Sequence, residues 1–336
     1  MAIRVAINGF GRIGRLTARI ILDDPDFDLV AINDLSTSED LAYLLKYDTT
    51  QGRYKEDKIT YDNEGIIVEG KKVIVVNQKE PNLLPWRDLN IDLVFECTGL
   101  FTKREKALAH IEAGAKRVII SAPGGNDIKT IVYNVNHNIL DGSEEVLSTA
   151  SCTTNCLAPT LKILDDNLGL VKGFMTTVHA YTNDQVTLDV AHKKGIHSRR
   201  GRAAAQNIVP TSTGAASAIG LVLPNLVGKM DGTSLRVPTA VGSVVDLVLE
   251  LKRNTTVEEI NNLFKQNQNE TFKYTDDPIA SSDIIGTHCG ALVDGGCTSI
   301  IEVDGKQLVK VFAWYDNETG YTAQMIRTAK YLEGLR

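Results

Sequence analysis

Three glycines, Gly9, Gly11 and Gly14, separate a short apolar run, Ile3–Asn8, from an amphipathic stretch, Ile13–Leu22. No other feature restricts the start of the chain as strongly. In a strand–turn–helix unit one such glycine makes the tight turn and a second lets the backbone approach a pyrophosphate. The third lets helix pack closely on strand, and the helix N-terminus adds positive potential. Glycine-rich turns also occur without a ligand, so context decides. Asp34 lies 20 residues beyond Gly14, at the end of a second predicted strand, Leu29–Asn33. A carboxylate there binds the ribose hydroxyls of NAD and repels the 2′-phosphate of NADP. The competing reading is an aspartate that caps the turn after Asn33. Motif and carboxylate together predict an NAD site.

The rest of the first half continues the alternation. Leu41–Leu45 and Lys103–Ala113 have helical spacing, while Ile91–Glu96, Arg117–Ser121 and Ile131–Asn134 read as strands. Strands separated by helices indicate a parallel sheet. Residues 54–80, with Gly65 and Gly70 between β-rich runs, predict an antiparallel excursion at its edge. After about residue 150 the pattern changes. A helix over Ser151–Leu168 and a strand over Phe174–His179 precede the irregular segment 181–203, which collects Lys193, Lys194, Arg199, Arg200 and Arg202. A loop of that length within a domain is usually functional or interfacial. Four further strands (Thr233–Pro238, Val244–Leu251, Thr298–Val303, Gln307–Trp314), one helix near Val257–Gln266 and a last helix, Tyr321–Leu332, predict an α+β second domain with an antiparallel sheet.

At 336 residues the chain is long enough for two domains, and its net charge of −6 argues against a protein whose main work is gripping nucleic-acid backbones. No apolar run reaches membrane-spanning length, and no leader precedes the first strand, so a cytoplasmic protein is expected. Cysteines at 97, 152, 156, 289 and 297 fit neither a disulfide framework nor a zinc site, and no metal is expected. Cys152 differs from the others. It sits in STASCTTNC, residues 148–156, where Ser and Thr hydroxyls can cap a starting helix. A thiol there feels the helix dipole, and lowering its pKa by two units would raise the thiolate fraction at pH 7 roughly 30-fold. A buried structural cysteine is the alternative, and is the reading for Cys97, Cys289 and Cys297; Cys156 should lie a turn deeper than Cys152. The nucleophile needs a base from among six histidines. His179 ends an apolar strand and opens the irregular loop, but position alone does not select it.

INGFGRIGR at 7–15, LLKYDTTQG at 44–52, SCTTNC at 151–156, TTVHAYTNDQ at 176–185, STGAA at 212–216, RVP at 236–238 and WYDNE at 314–318 resemble the glyceraldehyde-3-phosphate dehydrogenase family, in the same order and at similar spacing from end to end. The resemblance implies an NAD-dependent phosphorylating dehydrogenase of glycolysis that forms a thioester on Cys152 with His179 as its base. It implies a Rossmann-type doubly wound parallel domain, residues 1–151, completed by the C-terminal helix 318–336. An α+β catalytic domain with a mainly antiparallel sheet would cover 152–317. Cofactor contacts would come from Gly9, Gly11, Arg12, Ile13, Gly14, Asp34, Lys79, Ser121 and Asn317. Thr182, Arg236 and Arg200 resemble the site for the phosphate of glyceraldehyde 3-phosphate. Ser151, Thr153, Thr213 and Gly214 resemble the site for inorganic phosphate. The resemblance also implies a cytoplasmic homotetramer with the 181–203 loop at subunit contacts.

Three places depart from the family pattern. Val190-Ala191 stand where many NAD-dependent members have a proline that helps exclude NADP. Gly195–His197 looks like an insertion, and Thr319-Gly320 follow Glu318 where a bulky residue is usual. The nearest alternative enzyme is an erythrose-4-phosphate dehydrogenase. The alternative class is a surface or RNA-binding protein that kept the fold, supported by the basic 193–202 segment alone.

Overall fold

Buried β-branched strands that alternate their side chains between two faces need cover on both, and the central strands of the first sheet receive it. The computed structural model describes residues 2–335 apart from 194 and 196, so Lys194 of the basic segment and Ile196 of the inserted stretch lie outside the described residues. The chain divides into two units, one of residues 1–133, 137–151 and 322–336, the other of residues 134–136 and 152–321.

In the first unit, strands β1 (Ile3–Asn8), β2 (Phe27–Asn33), β3 (Ile59–Asp62), β4 (Gly65–Val68), β5 (Lys71–Val76), β6 (Leu93–Glu96), β7 (Arg117–Ile120), β8 (Lys129–Thr130) and β9 (Val146–Ser148) form one sheet in the order β3-β4-β5-β2-β1-β6-β7-β9-β8. Pairing is parallel from β5 to β8, and antiparallel only in the β3-β4-β5 edge. Val5, Ile7 and Phe95 pack with helices α1 (Arg12–Leu22) and α2 (Ser38–Lys46) and with Met325, Ile326 and Leu332. Ala6 and Val94, pointing the other way, pack with Trp86 and with Ala107 of helix α3 (Arg104–Glu112). Thr37 and Asp40 close a capping box at the start of α2. The strand expected at Ile131–Asn134 is absent. Ile131 makes one sheet-like bond to the Ser148 carbonyl, at 2.8 Å, but Tyr133 and Asn134 turn, with Asn134 at φ 60°. The extended pairing is the two-residue β8 just before it.

The second unit begins with helix α4 (Cys152–Leu168) and strand β10 (Leu170–Ala180). Strands β11 (Val209–Ser212), β12 (Met230–Val237), β13 (Ser243–Leu251), β14 (Phe272–Thr275), β15 (Ala291–Val303) and β16 (Lys306–Tyr315) complete a sheet ordered β11-β12-β10-β13-β16-β15-β14. It is antiparallel except for the β10–β12 and β14–β15 pairs. Helices α5 (Ala215–Val222) and α6 (Val257–Gln266) pack with α4, and helix α7 (Thr319–Gly334) ends the chain. Pro159 sits inside α4, where it has no N–H to offer the carbonyl one turn back. The whole stretch around it, Thr153–Leu161, is buried, and that packing outweighs the missing bond. Cys289 is buried as expected. Cys297 is exposed instead, because β15 slips register between Asp294 and Ser299 and breaks the alternation there.

Candidate active site

The glycine turn forms one side of a cleft of about 500 Å³ in the first unit, lined by Gly9, Gly11, Asp34, Lys79, Thr98 and Leu100 among others. Gly9 has φ 90°, and a Cβ on it would lie 2.8 Å from Thr98. A Cβ on Gly14 would lie 2.0 Å from the Gly9 carbonyl oxygen, so this position needs glycine for packing. At Gly11 a Cβ would meet nothing within 4 Å; the bare backbone faces open space, which suits a dinucleotide phosphate. Gly11 also caps α1, whose first residues are Arg12 and Ile13.

Asp34 accepts hydrogen bonds from the Phe10 N–H (2.8 Å) and the Ser36 N–H (3.0 Å). The turn-capping reading of this carboxylate therefore holds, and its oxygens keep further lone pairs for another donor. The Arg12 side chain turns to Asp48 and to Thr50 Oγ1 (2.7 Å), while its backbone lies at the helix start. Burial of Asp48 is outweighed by Arg12 and by the Gln51 and Thr50 N–H groups, which hold its carboxyl down at about 2. Ser121 follows β7; its N–H binds the Glu96 carbonyl at 3.0 Å and its hydroxyl bonds Cys97. Burial, with the Glu96 charge, pushes the Cys97 thiol up to about 12, so this cysteine lines the cleft without being a nucleophile.

In the second unit Cys152 is the first residue of α4 and His179 lies near the end of β10. Cys152 Sγ is 3.4 Å from His179 Nε2, and His179 Nδ1 is 2.7 Å from the Ala180 carbonyl oxygen. A carbonyl only accepts, so Nδ1 carries the proton and Nε2 turns a lone pair to the thiol. The ring is buried, edge-on to Tyr315. Burial drives the imidazole down to about 3, with help from the charges of Arg236 and Arg200 and against the Ala180 hydrogen bond. Burial also pushes the Cys152 thiol up, against Arg236 and hydrogen bonds at Thr153. The depressed lone thiol expected from the helix start is thus replaced by a coupled pair. Each group alone is kept neutral, but moving the proton from Sγ to Nε2 creates a pair of zero net charge, which burial penalises less than a single ion.

The two arginines are linked through Thr182 and Asp184. Arg236 Nη1 donates to Thr182 Oγ1 at 2.8 Å and to the Ala180 carbonyl at 3.2 Å. Its Nε is buried without a hydrogen-bond partner among the described residues. Thr182 also bonds Asp184, and Asp184 forms an ion pair with Arg200, which binds Thr211 Oγ1 at 3.0 Å. Thr153 Oγ1 and Thr177 Oγ1 share the Tyr315 hydroxyl, at 2.9 and 2.8 Å. Ser151 immediately precedes α4. Thr213 and Gly214 open α5, where Thr213 Oγ1 accepts from the Ala215 N–H at 3.2 Å. Asn317 Oδ1 accepts from the Gly242 N–H (3.1 Å) and Ser243 Oγ (3.0 Å), which orients its amide group. Ser243 Oγ in turn accepts from Ala180 N–H at 3.1 Å, beside His179.

Several of these residues were not legible beforehand. Asp184 and Tyr315 lie inside TTVHAYTNDQ and WYDNE, yet residue type alone gave neither a partner; Ser243 had no local signal. Of the departures from the family pattern, Val190 is exposed and its N–H binds the Gly201 carbonyl at 2.9 Å. At Gly320 a Cβ would come within 2.5 Å of the Cys289 carbonyl, so that position tolerates no side chain.

Comparison with known proteins adds a second line. The family model for the glyceraldehyde 3-phosphate dehydrogenase NAD binding domain matches residues 3–104, and that for the C-terminal domain of the same family matches residues 151–317. Glyceraldehyde-3-phosphate dehydrogenase of Clostridium pasteurianum is 57% identical over 328 residues, covering 98% of each chain. The protein of that name from Clostridium acetobutylicum is 56% identical over 328 residues, again 98% of each. That of Streptococcus pyogenes is 53% identical over 332 residues, with the same coverage.

Proposed function

Because the chain belongs to the glyceraldehyde 3-phosphate dehydrogenase family of NAD-dependent dehydrogenases, we propose that it is the phosphorylating glycolytic enzyme, converting glyceraldehyde 3-phosphate and inorganic phosphate to 1,3-bisphosphoglycerate through a thioester on Cys152. The observation that carries this reading is the 3.4 Å approach of Cys152 Sγ to the unprotonated nitrogen of a buried histidine.

Sγ attacks the aldehyde carbon as its proton passes to His179 Nε2. The oxygen gains charge, and the N–H groups opening α4 together with the imidazolium stabilise it. His179 passes that proton on to the oxygen, giving the thiohemiacetal, and takes it back as the hydride departs, for which bound NAD would supply the acceptor. Phosphate attacks the thioester carbon, the sulfur leaves as thiolate, and an acyl phosphate is released. Arg236, with Thr182 and Arg200 beside it, holds the phosphate of the aldehyde substrate. Ser151, Thr153, Thr213 and Gly214 hold the attacking phosphate. Gly9, Gly11, Gly14, Arg12, Ile13, Asp34, Lys79 and Ser121 bind the dinucleotide, and Asn317 binds the carboxamide of its nicotinamide. On this reading residues 1–151 with the C-terminal helix form the nucleotide domain and residues 152–317 the catalytic one.

NADH formation from the phosphorylated aldehyde, fast with phosphate and slow without it, tests the proposal. Phosphate-independent turnover would refute it, and a higher kcat/KM for erythrose 4-phosphate would assign the neighbouring enzyme. For the cofactor, Asp34→Ala should narrow the NAD-over-NADP ratio of kcat/KM by about tenfold, as a repelling charge is lost. Taking the ratio cancels any effect of losing the Phe10 and Ser36 bonds. A wild type that prefers NADP would overturn the assignment of Asp34.

The same reading makes the protein a cytoplasmic homotetramer. Phe174, Val248, Ile301, Val303 and Leu308 support the assembly: all are exposed, and the strand registers put them on one face of the second sheet. An apolar face of that kind favours burial against another copy. Light scattering at four times the 36.7 kDa chain mass is expected, and a stable monomer at micromolar concentration would exclude it. No helix of the described residues is long and apolar enough to cross a membrane.

A further inference from the structure

Beneath the cofactor cleft lies a buried carboxylate that the reaction does not use. Glu96 is 1% exposed at the end of β6, and it accepts four hydrogen bonds. Oε2 receives Asn8 Nδ2 at 2.6 Å and His110 Nε2 at 3.1 Å. Oε1 receives the Thr98 N–H at 2.8 Å and the Thr98 hydroxyl. The tautomer of His110 follows from its other side, where Trp86 Nε1–H donates to Nδ1 at 3.0 Å, so the proton sits on Nε2 and points to Glu96. His110 and Trp86 are both fully buried. All the lone-pair positions of the carboxylate are thus filled by donors from three parts of the chain.

Two of the three donor residues reach the wall of the cleft. Thr98 and Asn8 line it themselves, and the Thr98 hydroxyl also accepts the N–H of Leu100, another lining residue, at 3.0 Å. Asn8 Oδ1 accepts from Asn33 Nδ2 at 2.7 Å, and Asn33 Oδ1 accepts the Gln78 N–H at 2.9 Å. The turns after β1, β2, β5 and β6 are therefore referred to one buried group. The Gly9 turn is built against Thr98 so closely that a Cβ would not fit between them.

We propose that Glu96 is a positioning residue for the dinucleotide: one saturated carboxylate sets the relative placement of the four turns that surround the cofactor, without touching it. The proposal rests on the cleft being the NAD site. A glutamine has the same shape but one acceptor oxygen, so Glu96→Gln must turn its NH2 toward one pair of donors and release either Thr98 or the Asn8–His110 side.

In the full-length enzyme, Glu96→Gln should raise the KM for NAD and weaken NAD binding measured by calorimetry, each by about tenfold or more, since small misplacement of binding groups is costly. Turnover at saturating NAD should stay within about twofold, and the KM for the aldehyde should not move, because Cys152 and His179 are not held by this network. Binding of ADP-ribose, which lacks the nicotinamide, should weaken as NAD does. Should Glu96→Gln fail to fold, Thr98→Val decides: loss of its hydroxyl should weaken NAD about threefold to tenfold, and Thr98→Ser should restore it. NAD affinity within twofold of wild type in a folded Glu96→Gln, or in Thr98→Val, overturns the positioning role. So does a fall in kcat with the KM for NAD unchanged. If Asp34→Ala also leaves NAD affinity untouched, the cleft assignment itself has failed; if Asp34→Ala weakens NAD while Glu96→Gln does not, only the role of Glu96 is lost.

Discussion

Cys152→Ser is expected to lower kcat by at least about three orders of magnitude while NAD affinity stays within twofold of wild type. The thiol and the imidazole sit 3.4 Å apart in a buried setting that pushes the base down to about 3. A base held that low can take a proton from a thiol only because a thiolate is a comparatively stable anion and the resulting pair has no net charge. An alkoxide is far less stable, so the hydroxyl remains protonated and a poor nucleophile. Cys156→Ser provides the contrast. Burial pushes the Cys156 thiol well up, and it bonds the Ala313 and Trp314 carbonyls, so its loss should cost packing and little turnover. Turnover above a few per cent in Cys152→Ser would rule out the covalent route.

Arg236→Ala is expected to reduce kcat/KM for glyceraldehyde 3-phosphate by about 10- to 100-fold, the worth of one charge-assisted phosphate contact of about 1.5–3 kcal/mol. Slow oxidation of unphosphorylated glyceraldehyde should change little. The lone Nε in the interior is the structural ground for this expectation, because a buried donor without a partner suits an incoming anion. Lys at the same position should recover only part of the loss, since it offers a point charge without the planar fork. Arg236 also donates to the carbonyl that holds His179, so the comparison between the two aldehydes is the deciding measurement. Equal losses on both would mean that the side chain supports the histidine and not the phosphate.

Features of this molecule that were legible in the sequence are local ones. Gly9, Gly11 and Gly14 are read within six residues because turn, close approach and helix packing all act over that distance. The same holds for Cys152 at a helix start. Strand edges were less secure. A β-branched pair such as Ile131-Val132 is buried whether or not it is hydrogen-bonded to a neighbour, and the turn at Asn134 decided against pairing. The short strand Phe272–Thr275 and the helix Ala215–Val222 left too little periodicity to be recognised. Long-range polar partnerships were invisible. Asn8 meets Glu96 across 88 positions and Thr153 meets Tyr315 across 162, and no spacing rule links such residues before the sheets bring them together. Cys297 misled for a related reason: residue type suggests burial, but a slip in register turned it outward.

The ion pair of Asp184 with Arg200, with Thr182 bonded to the same carboxylate, gives the phosphate corner a resident anion of its own. On the proposed reading an arriving phosphate would meet a guanidinium that is already matched, and could engage Arg200 fully only by displacing a tethered carboxylate. Binding there is an exchange of one anion for another, and its free energy is the difference between two pairings. The two arginines are consequently unequal partners. On that reading Arg236 offers a vacant donor, whereas Arg200 offers only the margin by which a dianion would outcompete Asp184.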